Sequence, residues 1–213
     1  MRLRIQVGLF LSILMSSRLL FAVDMPGGLM QISDTLKKEL YEFVLSPGYV
    51  MSPTGAYLSA GIRTQTNQDI SAGLAMGAGE VGWHVGAHAT WHILPDVDMQ
   101  PAFGITGGLY LDRIETKGTL PVKASYFVVK VTPMISKSVK MSWGTLTPYS
   151  GLNMAPSFRL GEAQNEFSVK GSFGMMTALK NLSGIRLWTE VGIAVSNSQH
   201  EVIFGLSYPF SAI

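Results

Sequence analysis

Three histidines spaced by four residues, His84, His88 and His92, are the residues whose type and spacing first suggest chemistry. Imidazoles bind metals and move protons near neutral pH. Successive histidines on an extended strand share one face but lie ~13–14 Å apart, at about 3.4 Å per residue. Metal–imidazole bonds are about 2 Å long, so no two of these histidines can hold the same ion. A metal site would need ligands from neighbouring strands. The set therefore reads as a protonatable lining of an enclosed space or as polar filling satisfied across strands, and no metal is expected.

A second group is ionic. Arg63, Lys130, Arg159, Lys170 and Arg186 fall on the polar faces of extended segments, with Glu166, Glu190 and Asp98 as candidate partners. Charges removed from water need partners. The pattern fits an ion-paired plug, or an anion-leaning pore if basic groups remain in excess. Enzymatic chemistry is less well served. His200-Glu201 is the one adjacent histidine–carboxylate pair, and neighbours on a strand point to opposite faces. No Ser-His-Asp triad can be inferred from spacing, because its members meet in space. The glycine-rich pieces at 77–79 and 104–108 lack the helix and the Lys-Ser/Thr of a phosphate loop. No catalytic residue, cofactor site or enzymatic activity is expected.

The elements that must position these residues are strands. Charged residues make up 14% of the 213-residue chain against 47% hydrophobic, with a mean hydropathy of +0.27, whereas soluble domains average about 25% charged. Beyond the N-terminus no apolar run approaches the roughly 20 residues of a membrane-spanning helix. The remaining choices are a large soluble core or a β-barrel facing lipid. A formal charge of +2 gives no footprint for nucleic acid. The absence of cysteine excludes disulfides and thiol chemistry.

Turn-rich punctuation divides the chain into nine expected strands near 55–64, 69–78, 82–93, 97–111, 124–136, 144–160, 166–179, 184–195 and 201–210. In the third, Trp83, Val85, Ala87, Ala89, Trp91 and Ile93 oppose His84, Gly86, His88, Thr90 and His92. The period of two gives each strand an apolar face and a polar or small face. A soluble barrel turns the apolar face inward and a membrane barrel turns it outward. The small residues of the polar faces suit a narrow lumen. Trp83 and Trp91, eight residues apart, would stand about 20 Å apart along the membrane normal on a strand tilted by roughly 40°, near the height of an apolar band between aromatic girdles.

Phe204, Gly205, Leu206, Tyr208 and Phe210 end the chain with a glycine and aromatic residues at alternating positions. This resembles the C-terminal signature of small bacterial outer-membrane β-barrel proteins, of the OmpA-like and porin-like kind. The resemblance covers about residues 54–210 and implies recognition of the last strand by the barrel-insertion machinery. Ser211-Ala212-Ile213 beyond the Phe departs from the signature.

The expected organisation is a signal peptide over 1–22, with Arg2 and Arg4 before the apolar stretch Val7 to Met15 and cleavage after Ala22. An N-terminal segment, 23–53, reads as a short helix or a first strand. Leu36, Leu40, Phe43 and Val44 favour a helix near 34–45, and Tyr41, Phe43 and Leu45 favour a strand. A closed antiparallel transmembrane β-barrel of eight to ten strands follows over 54–210, then an overhang at 211–213. Nine is an awkward count, since such barrels close with an even number. Pro101, Pro133, Pro148 and Pro156 are expected at strand ends or bulges. The longest loop, Arg113 to Val122, is the natural place for an external contact. The functional expectation is a non-enzymatic barrel of the bacterial outer membrane with a structural, surface-interaction or limited passive-transport role, its partners being membrane lipid and the insertion machinery. A small-solute channel is the alternative, followed by a membrane hydrolase and a soluble exported β-protein. Oligomeric state and any transported solute are not legible.

Overall fold

The computed structural model describes residues 40–51, 54–115, 123–162, 165–182 and 184–211. The expected signal peptide, residues 23–39 of the expected N-terminal segment, residues 116–122 of the longest expected loop and residues 212–213 of the expected overhang lie outside the described residues. The strands are β1 (Leu40–Met51), β2 (Thr54–Gln65), β3 (Ile70–Gly79), β4 (Gly82–Leu94), β5 (Ala102–Glu115), β6 (Lys123–Ser136), β7 (Val139–Met141), β8 (Gly144–Arg159), β9 (Asn165–Leu179), β10 (Arg186–Ser196) and β11 (Glu201–Ser211). Each long strand pairs antiparallel with the next, β6 with β8, and β1 pairs with β11 from Leu40↔Ser211 to Val50↔Glu201. β7 continues the β6 arm in the same register against β8. The result is a closed antiparallel barrel of ten long strands, which removes every sheet edge along the wall.

The tenth strand is β1. The helix expected near 34–45 is not formed over its described part, because Leu40 onward is extended. The helical spacing of Leu40, Phe43 and Val44 is coincidental: Val44 is buried inside the barrel while Phe43 faces out. As a strand, β1 satisfies two ladders at once, to β2 and to β11, where an isolated helix would satisfy neither. The fifth strand also differs. Residues 97–100 form a turn closed by a Val97↔Gln100 bridge, with Asp98 at φ 48°, and β5 begins only at Ala102. Pro101 does precede a strand, but Pro133 lies within β6, and Pro148 and Pro156 lie within β8.

The barrel is inverted relative to a soluble one. Leu74, Met76, Trp83, Val85, Trp91, Leu109, Leu111, Phe173, Val191 and Phe204 are exposed on the outer wall, while serines, threonines, histidines and charged groups are buried inside. A continuous apolar exterior around a polar interior is the arrangement a hydrocarbon surround stabilises and water penalises. The interior is not uniformly polar. Toward the rim that carries the β1–β2 and β3–β4 turns, Val50, Tyr57, Val81, Tyr110, Ile114, Tyr126, Val128 and Ile203 pack into one buried apolar cluster. A smaller cluster of Val44, Tyr149, Met176 and Trp188 is buried separately.

Candidate functional site

The lumen is where the residues with chemical potential converge. On β4, His84, His88 and His92 all face inward and are buried. His84 Nε2 lies 3.2 Å from Ser59 Oγ, and His92 Nε2 lies 3.2 Å from Ser71 Oγ. His84 reaches Ser59 on β2 by crossing over Gly77 on β3. A Cβ at Gly77 would sit 2.4 Å from the ring's Cε1, so this close approach needs glycine. The rings are separated along the strand as their spacing requires, and no group of three or more His, Cys, Asp or Glu among the described residues could hold a metal ion.

The ionic residues divide between two networks. In the first, Glu42 on β1 accepts from Arg63 Nε on β2 and, at 2.5 Å, from Ser207 Oγ on β11, with Arg186 Nη1 of β10 at 3.9 Å. Glu42 is fully buried and Arg63 nearly so, which makes this a desolvated carboxylate between guanidinium groups. It spans the four strands around the seam where the first and last strands meet. In the second, Lys170 Nζ on β9 pairs with Glu201 Oε1 on β11 at 2.6 Å, and Tyr149 Oη on β8 donates to Glu190 Oε2 on β10 at 2.9 Å. Lys130 faces inward on β6 with its ammonium 4.9 Å from the centre of the Tyr110 ring, a cation–π distance. Arg159 lies on the inward side of β8 and pairs with Glu162 at 2.9 Å; Glu166 lies on the inward side of β9.

These networks leave little space. A cavity of about 40 Å³ lies among the polar groups, lined by Lys130, Lys170, Glu190, Glu201, Asn153 and Thr132 among others. At about 10–15 Å³ for each water centre, that is room for a few water molecules.

All nine lumen residues expected from sequence (His84, His88, His92, Arg63, Lys130, Arg159, Lys170, Arg186 and Glu190) lie on inward strand positions. Asp98 does not. It is exposed in the β4–β5 turn and forms no part of the lumen. Trp83 and Trp91 are on the outer wall. Of the terminal residues, Phe204, Leu206 and Tyr208 face outward, and Phe210 stacks on Tyr41 of β1 at 5.7 Å. Gly205 faces inward beneath Trp188, whose ring would lie 2.0 Å from an added Cβ. His200 and Glu201 part company: His200 is exposed and accepts from Ala194 N at 3.2 Å, whereas Glu201 is buried in the lumen.

Sequence reasoning missed Glu42, Asp112 and Tyr149. Glu42 was hidden by the helix reading of its segment, and inward parity along β5 and β8 marks the other two. Asp112 sits opposite His84 in the β4–β5 ladder, so Ser59, His84 and Asp112 follow one another round the inner wall. Their types are those of a nucleophile, a base and its orienting acid. All three are buried, at 1%, 3% and 1% exposure.

No family model matches the chain, and no curated protein matches it. Among solved structures it is similar to a de novo designed transmembrane β-barrel, with 11% identity over 83% of this chain and 100% of that one and a TM-score of 0.41. An outer membrane channel from Pseudomonas putida F1 is 11% identical over 87% of this chain and 99% of its own, with a TM-score of 0.44. The translocator domain of autotransporter NalP from Neisseria meningitidis is 12% identical over 84% and 90%, with a TM-score of 0.42. Similarity at this level assigns no role to the chain.

Proposed function

We propose that this chain is an integral barrel of a bacterial outer membrane, exported by its N-terminal signal. Its role is non-enzymatic: structural, surface-interacting or limited to slow passive transport. The observation that carries the reading is the combination of an apolar outer wall with a lumen packed by paired charges. Small barrels have interiors just wide enough for side chains to fill, and here they are filled, which favours the OmpA-like over the porin-like side of the resemblance. Membrane lipid contacts the outer wall. The insertion machinery recognises β11 through Phe204, Leu206, Tyr208 and Phe210. The protein should fractionate with outer membranes and migrate faster unheated than boiled on SDS gels. Recovery in the soluble periplasmic fraction, with no heat-modifiable band, overturns the reading.

A channel is the second reading, favoured by the water-sized cavity beside Lys130 and Lys170. Planar-bilayer recording separates the two. The packed lumen predicts no conductance above background, and stable unitary steps would establish the channel instead.

A further inference from the structure

Of the five prolines inside the described strands, three fall on one seam. Lys137 N donates to Pro148 O at 3.1 Å, and Leu160 N donates to Ser125 O at 2.9 Å. These bonds show that even-numbered residues of β8, and odd-numbered residues of the β6 arm, turn their backbone groups toward each other. Pro133 in β6, and Pro148 and Pro156 in β8, all occupy such positions. Each withholds a donor from the same β6–β8 ladder. Its pairing is interrupted accordingly: Val128↔Ser157, Val131↔Met154 and Met134↔Gly151 hold, and the residues between them do not pair. The β8–β9 ladder on the other side runs unbroken from Gly144↔Leu179 to Phe158↔Asn165, and β5–β6 from Ala102↔Ser136 to Glu115↔Lys123. By the same test the closing β1–β11 seam lacks one donor, at Pro47.

The internal cavity lies directly behind this interrupted ladder. Lys130, Thr132 and Met134 of β6 and Tyr149, Gly151 and Asn153 of β8 line it. Across the gap, Thr132 Oγ1 and Asn153 Oδ1 are 2.6 Å apart, a side-chain link standing in for backbone bonds. On the outer wall the same gap is flanked by Val129, Val131, Pro133, Leu152, Met154 and Pro156, all apolar. Of the charged side chains on the cavity, Lys130 alone comes from a seam strand. An entering headgroup meets an ammonium first. A carboxylate has three heavy atoms and would replace the few waters the cavity holds.

We propose that the β6–β8 seam is a lateral portal between membrane and lumen, and that the cavity behind it takes the carboxylate of a single-chain amphiphile, whose hydrocarbon tail stays in the bilayer against the apolar outer wall. This rests on the membrane-barrel reading; loss of the heat-modifiable band reports failure of that reading, separately from failure of the portal. The test uses dodecanoate labelled with ¹³C at the carboxyl carbon, added to the barrel in lipid vesicles and observed by NMR. A bound carboxyl resonance distinct from lipid-partitioned dodecanoate is expected, and Lys130→Gln should weaken binding roughly ten-fold or more, as for loss of a charge-assisted hydrogen bond.

The chain has no cysteine, so the seam can be locked with Met134→Cys and Gly151→Cys. A Cβ at Gly151 would lie 3.4 Å from Met134 Cβ, at the short end of disulfide geometry. Oxidation should abolish the bound resonance and reduction restore it, whereas Met76→Cys with Val85→Cys across the unbroken β3–β4 ladder, away from the seam, should change nothing. Folding of each variant is read from the heat-modifiable band. Undiminished binding with the seam locked overturns the portal, and no bound resonance in the unmodified barrel overturns the site.

Discussion

Removing the Glu42 carboxylate should destabilise the barrel more than removing any exposed charge. Glu42 is 0% and Arg63 6% exposed, and the carboxylate joins β1, β2, β10 and β11 through Arg63, Arg186 and Ser207. Replacing it by alanine leaves two guanidinium groups facing each other in the lumen and strands the Ser207 hydroxyl. Breaking a buried pair by deleting one partner costs about 3–5 kcal/mol, chiefly because the other charge stays desolvated. Arg186 is 19% exposed at its side chain, so water offsets part of its loss and the lower half of that range is expected. Glu42→Ala with Arg63→Ala should recover part of the loss, since the largest uncompensated charge is gone. The assay is reversible urea unfolding in lipid vesicles, followed by tryptophan fluorescence, for the wild type, both single variants and the double variant. A Glu42→Ala effect below about 0.5 kcal/mol, or a coupling energy indistinguishable from zero in the double-mutant cycle, would refute the view that this network fastens the closing seam.

Gly205→Ala should cost about 1–3 kcal/mol by overpacking, because its Cβ would meet the Trp188 ring at 2.0 Å; a red-shifted tryptophan emission with lowered urea stability is the expected record. Leu74→Arg, on the outer wall, should destabilise the barrel in lipid by about 2–4 kcal/mol, as charges near the bilayer midplane do. A soluble barrel would tolerate it almost silently, which the same titration distinguishes. Outside the wall, burial pushes the Asp96 carboxyl up, but the Lys137 ammonium and the Ser138 amide outweigh it and hold its pKa below the ordinary 3.8. A depressed carboxylate pKa contributes stability that is full above the unfolded value and is lost as the pH falls through the folded one. The β4–β5 loop should therefore stay latched at neutral pH and loosen only below about pH 4, seen as faster hydrogen exchange over 95–100, with Asp96→Asn loosened at every pH.

Much of the wall is legible in the amino-acid order because lipid and lumen impose a period of two on each strand. Trp83 to Ile93 against His84 to His92 can be assigned to opposite faces without knowing any neighbour, and the inward position of Arg63, Lys170, Arg186 and Glu190 follows from parity alone. Turn residues place most strand boundaries to within a few positions for the same local reason. What is not local is not legible. β1 carries apolar residues on both faces, with Val44 and Val50 inside, so its alternation is blurred and only pairing with β2 and β11 makes it a strand. The apolar cluster around Val81, Ile114, Val128 and Ile203 defeats the rule that inward means polar, since side chains from separate strands can exclude water from one another only once the ring has closed. Partners such as Glu42 and Ser207 are 165 residues apart. The order of residues determined the histidine face, the charged inward positions and the outward aromatics. Register and closure decided the pairings: which charges meet, that ten strands rather than nine complete the wall, and that three scattered prolines all weaken the same seam.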